Sequence, residues 1–83
     1  MSDTLETLLS KGDRALQADD TLVALLQFEM AHAMDPRPSV KAKLAYCLAR
    51  ERKEYQQAMT LCREALAAEP NNPDHYYQLS RVY

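Results

Sequence analysis

The sequence predicts an all-α fold, a solenoid of stacked helix pairs, and three observations predict it. Strong helix formers (Ala, Leu, Glu, Gln, Arg, Lys) dominate the 83 residues, while valine occurs three times and isoleucine never, which argues against a sheet. Two stretches align on one another 34 residues apart: Ala24, Ala31 and Pro36 recur as Ala58, Ala65 and Pro70, and Phe28 recurs as the smaller Cys62. The four prolines, Pro36, Pro38, Pro70 and Pro73, fall at two places one such period apart. A fixed period of this size, with small residues at set points and a proline closing each unit, marks a helical repeat array. Each unit is then a helix pair that cannot bury its apolar face alone and stacks on its neighbours.

Taken in order, the first helix is expected over 4–18, with Leu5, Leu8, Leu9, Ala15 and Leu16 at one-sided spacing and Asp3 or Ser2 as its cap. Gly12 in its middle costs about 1 kcal/mol relative to alanine, which close approach of a neighbouring helix would offset. Ala18 to Thr21 reads as a turn, with Asp20 or Thr21 capping a second helix over 21–34. That helix is expected to turn Val23, Ala24, Leu26, Phe28, Ala31 and Met34 inward. Its end is set at Asp35-Pro36, because proline disfavours helical geometry in the residue before it. Ser39 is expected to cap a third helix, about 39–52, with Val40, Leu44, Ala45, Leu48 and Ala49 inward. Arg52 to Glu54 turns the chain into a fourth, about 55–68, carrying Tyr55, Ala58, Met59, Leu61, Cys62, Ala65 and Leu66. Asn72 suits an N-cap and Pro73 the first position of a fifth helix, where a missing amide hydrogen costs nothing. The chain is thus one domain over 1–83, with units at about 5–38 and 39–72 and a partial unit at 73–83.

Composition narrows the function. A formal charge of −2 with mixed signs offers no basic face for nucleic acid, and Arg50-Glu51-Arg52-Lys53 reads as a solvated helix end. The longest apolar stretch, Leu22 to Leu26, is too short to cross a bilayer, and the acidic start lacks the order of a secretion signal. Cys47 and Cys62 lack metal-binding spacing and read as small core residues in a reducing cytoplasm. His32, expected to face solvent, and His75 belong to no zinc or catalytic motif. With one glycine there is no phosphate-binding loop. No enzyme activity, cofactor or metal is expected.

The alternation of helix, turn, helix and proline at this period resembles the tetratricopeptide repeat. The first unit matches through Leu8, Gly12, Ala24, Phe28, Ala31 and Pro36, although Lys11 and Ala15 replace a leucine and a tyrosine. The second matches through Tyr55, Ala58, Ala65 and Pro70, with Tyr46 where glycine is usual and Ala49 in an aromatic slot. Tyr76, Leu79, Ser80 and Tyr83 begin a third. The resemblance implies a right-handed superhelix of five antiparallel helices. It further implies a protein-interaction module whose concave groove receives an extended or helical peptide.

Carried onto this sequence, the groove residues are Leu9, Asp13, Lys43, Cys47, Tyr77 and Arg81, with Gln17 and Arg50 nearer the rim. The subfamily that grips a chaperone's C-terminal carboxylate needs lysines and asparagines where this chain has Leu9, Asp13, Leu44, Asp74 and Gln78, so that mode is disfavoured. Tyr76 and Tyr83 are expected on an exposed C-terminal face. Two alternatives stand beside the groove: self-assembly through stacking or exchange of the fifth helix, and a fragment of a larger protein whose activity lies elsewhere.

The expected core is Leu26, Phe28, Leu44, Leu48, Leu61 and Leu66. Phe28→Ala should cost roughly 3–5 kcal/mol, read as loss of the cooperative melt in circular dichroism. A folded, cooperative variant would contradict the assigned packing between units.

Overall fold

The computed structural model describes residues 4–73, and the positions of the expected fifth helix, including Tyr76, Tyr77, Arg81 and Tyr83, lie outside the described residues. Four helices follow one another: α1 (Leu5–Gln17), α2 (Thr21–Met34), α3 (Pro38–Arg52) and α4 (Tyr55–Ala68). The described residues contain no strand. Extensive packing joins α1 to α2, α2 to α3 and α3 to α4. Connections of two or three residues make successive helices antiparallel neighbours. The repeat is visible in the backbone, since α2 and α4 have the same length and begin 34 residues apart.

The helix ends follow from local chemistry. Thr4, rather than Asp3 or Ser2, caps α1: its hydroxyl oxygen accepts from the Thr7 amide at 3.2 Å. Asp20 Oδ1 accepts from the Val23 amide at 3.3 Å and caps α2. Ser39 does not cap α3. Pro38 already stands at the start of that helix, where its fixed φ suits the first turn, and Arg37 takes the cap position without a side-chain bond. The residues before Pro36 and Pro70 are Asp35 and Glu69, and both are non-helical, at φ −157° and −136°.

Both hairpin turns use a left-handed residue at equivalent places, Asp19 (φ 59°) and Lys53 (φ 54°). At the first turn the Asp20 amide donates to Ala15 O (2.8 Å) and the Asp19 amide to Leu16 O (3.0 Å). That pair of bonds is the Schellman closure, usually built on glycine.

The core runs as one cluster through all four helices, from Leu8 and Ala15 to Leu61 and Cys62. Helix α3 is the most enclosed: Val40, Ala42 and every residue from Leu44 to Ala49 are buried. Phe28, Leu44, Leu48 and Leu61 occupy the core as the spacing implies. Leu26 does not: it is 49% exposed, and Leu25 beside it is fully buried. Val23 and Met34 also point outward, and so does Tyr55, while Leu66 is only half-buried. Because α2 is apolar around most of its circumference, hydrophobic spacing alone cannot phase it.

Gly12 explains itself. A Cβ there would come within 2.6 Å of Phe28 Cε1 and Cζ, so the ring of α2 lies directly against the bare backbone of α1. At the equivalent slots of the second hairpin stand Tyr46 and Cys62, both buried. Each hairpin therefore carries one ring and one small residue at this pair of positions, with the ring on opposite helices.

Two substitutions test that complementarity. Gly12→Ala gains about 1 kcal/mol of helix propensity but overpacks the ring contact at a cost of about 1–3 kcal/mol. We expect a net loss in urea denaturation. Cys62→Phe should also destabilise, by overpacking its slot.

Candidate functional site

Two surfaces can meet a partner. The first is the α1–α3 face, where the groove residues were expected. Lys43 Nζ stands 2.7 Å from Asp13 Oδ1, tying α3 to α1, with both side chains partly exposed. The same ammonium lies 5.9 Å from the centroid of the Phe28 ring. Leu9 is half-buried one turn before Asp13 and packs on the core.

Further along this face, Arg50 donates to Tyr46 Oη at 3.0 Å and approaches Asp19 Oδ2 at 3.3 Å. The Tyr46 bond, with help from Asp19, holds the Arg50 guanidinium above its ordinary pKa. Leu9, Asp13, Lys43 and Arg50 therefore do come together, with Gln17 exposed on α1. Cys47 is a correction: it is fully buried and offers a ligand no surface. Tyr77 and Arg81 lie outside the described residues.

The second surface was not anticipated. Leu22 (54% exposed), Leu26 (49%), Met30 (46%) and Met34 (56%) form a row along α2 at every fourth residue, flanked by exposed Val23 and Ala33. A shallow depression in this row is lined by Leu26, Gln27, Glu29, Met30 and Ala33. The repeat requires no such row. At the positions equivalent to Leu22, Leu26 and Met30, α4 carries the exposed polar residues Gln56, Thr60 and Glu64, with the small Ala68 opposite Met34. This comparison within the chain was available from sequence and would have phased α2 correctly.

Covering one fully exposed leucine or methionine is worth about 1.5–3 kcal/mol, so each half-exposed member of the row offers about half that. Contiguous apolar surface of this kind marks an interaction site more often than chance exposure does. The one acid on this helix, Glu29, is held by a bidentate Arg52 at 3.0 and 3.1 Å.

Among the described residues no three of His, Cys, Asp and Glu gather where they could hold a metal ion. Gln27 Oε1 and His32 Nε2 are buried without a hydrogen-bond partner, so His32 is half-buried instead of facing solvent. No described helix is long and apolar enough to cross a membrane. Comparison with protein-family models, with curated proteins and with solved structures finds no match.

Cys62 allows a pH prediction. Burial pushes its thiol up to about 11 from 9.0, because the thiolate would be desolvated. A raised folded-state value means the native state holds its proton longer, so this contribution to stability is complete below pH 9.0 and is lost as pH rises through about 11. Urea denaturation across that range should show a steeper alkaline decline for the wild type than for Cys62→Ala. Equal slopes would contradict the assignment.

Proposed function

We propose that the chain is a non-enzymatic protein-interaction module of tetratricopeptide-like helix pairs, and that a partner docks on the exposed apolar face of α2. The observation that carries this reading is the Leu22–Leu26–Met30–Met34 row, large, apolar and half-exposed where the sister helix α4 has Gln56, Thr60, Glu64 and the small Ala68. Single apolar residues on a surface are ordinary, but four in one contiguous row form the kind of patch on which partners dock.

Several observations support the repeat reading. Packing runs from each helix to the next, and the two hairpins share their offset, their left-handed turn residues and their pre-proline breaks. Asp13 meets Lys43 and Asp19 meets Arg50, so the sequence runs in the same direction along α1 and α3. That agrees with hairpins stacked in one orientation, as in a right-handed superhelix.

A second reading keeps the peptide groove of Leu9, Asp13, Lys43, Tyr77 and Arg81. The Asp13–Lys43 pair favours it, since two partly exposed charges are held in place for a polar backbone or side chain. Each charge is already compensated by the other, so a ligand there has to compete with the pair. For that reason the apolar face ranks first. Lys41, Lys43, Arg37, Arg50 and Arg52 all face carboxylates, which speaks against a nucleic-acid surface. The two buried thiols suit a reducing cytoplasm.

The test transplants the α4 surface onto α2 as Leu22→Gln, Leu26→Thr and Met30→Glu together. We expect helicity to persist and stability to change by only about 0.5 kcal/mol per site or less, as for ordinary surface positions. Association through the face should be lost. A variant that unfolds would place these residues in the core and end the interaction reading.

A further inference from the structure

The chemistry of the α2 face says what covers it. Its exposed row recurs at every fourth residue, Leu22, Leu26, Met30 and Met34, which makes it a single i±4 ridge. Two such ridges interdigitate when helices cross at about −50°, the commonest packing of helix on helix. The row also reads alike from either end. Reversed about its midpoint, Leu22 exchanges with Met34 and Leu26 with Met30, so apolar side chains of similar length meet throughout. Self-complementarity under reversal is what a twofold, isologous contact requires.

Charge points the same way. The ridge itself carries no ionisable group, and Glu29 at its edge is already neutralised by Arg52. A second copy therefore brings no like charge against the first. Finally, α4 lacks the ridge, so among the described residues it occurs once, and a contact through it closes as a pair instead of propagating into a filament.

We propose that the occupant of the α2 face is a second copy of this chain, with two α2 helices crossing antiparallel so that Leu26 of each packs on Met30 of the other. The proposal rests on the interaction reading above but commits it to self-association. Four half-exposed side chains per copy, set against the cost of association, make the pairing weak and concentration-dependent.

Sedimentation equilibrium of the 83-residue chain from low micromolar to millimolar concentration decides it. Mass should rise with concentration from 9.5 kDa toward twice that value. The Leu22→Gln, Leu26→Thr, Met30→Glu variant should remain at one chain. A wild type that stays at 9.5 kDa throughout, or a variant that pairs like the wild type, overturns the proposal. If the wild type stays single while the variant keeps its helicity, only self-association fails and the interaction reading stands.

Oxidative cross-linking gives an independent answer on the register. The native thiols Cys47 and Cys62 are buried. A mixture of Leu26→Cys and Met30→Cys chains should therefore form a covalent dimer faster than either chain alone. Equal rates would exclude the antiparallel register.

Discussion

The contact of the Phe28 ring with the bare backbone at Gly12 sets the geometry on which the rest is built. With no Cβ at Gly12, α1 and α2 can close around the ring, and Leu8, Ala15, Ala24 and Ala31 become buried. The same ring lies beneath the Lys43 ammonium of α3, so one side chain touches both hairpins. Lys43 in turn pairs with Asp13, its ammonium 2.7 Å from the carboxylate. Moving the ring would therefore disturb the joint between the units as well as the first hairpin itself. The second hairpin solves the same spatial problem with the ring transferred to its first helix, as Tyr46, and the small residue to its second, as Cys62.

Much of this architecture is legible in the sequence because it rests on local rules. The bounds of α2 and α4 follow from an acid at the turn and a proline at the end. The glycine in mid-helix announces a close approach, and the ring against it bears that out. Less legible are the starts of α1 and α3. Several candidate caps lie within three residues at α1, and at α3 Pro38 takes the first position that Ser39 would have capped. The main misreading lies in α2. Where Leu22, Val23, Leu25, Leu26, Phe28 and Met30 are all apolar, two helical phases fit the core almost equally well, and Leu26 was placed inside when Leu25 belongs there.

That misreading and the candidate site share one cause. A helix apolar on both faces satisfies the core with one and leaves the other for something else. The equivalents on α4 separate the two faces. Ala24, Ala31 and Phe28 are buried like Ala58, Ala65 and Cys62, whereas Leu22, Leu26 and Met30 are exposed like the polar Gln56, Thr60 and Glu64. The groove face was easier to foresee, but its charges are engaged with one another. Polar groups held in that way serve first to fix the spacing of α1 and α3.

The ion pairs across the joint have a sense of direction. Asp13, Asp19 and Glu29 come from the leading hairpin, and Lys43, Arg50 and Arg52 from the trailing one. A second leading hairpin stacked in the same sense would set Asp13, Asp19 and Glu29 against Leu9, Leu16 and Ala18, and a second trailing one would set Lys53 and Arg63 against Arg50 and Arg52. The backbones of the two units are interchangeable by their common period, yet their edges are keyed like the two halves of a clasp. Order along the chain is thereby written into the seam as well as into covalent connectivity, and a hairpin joined to its own kind would forfeit the charge match.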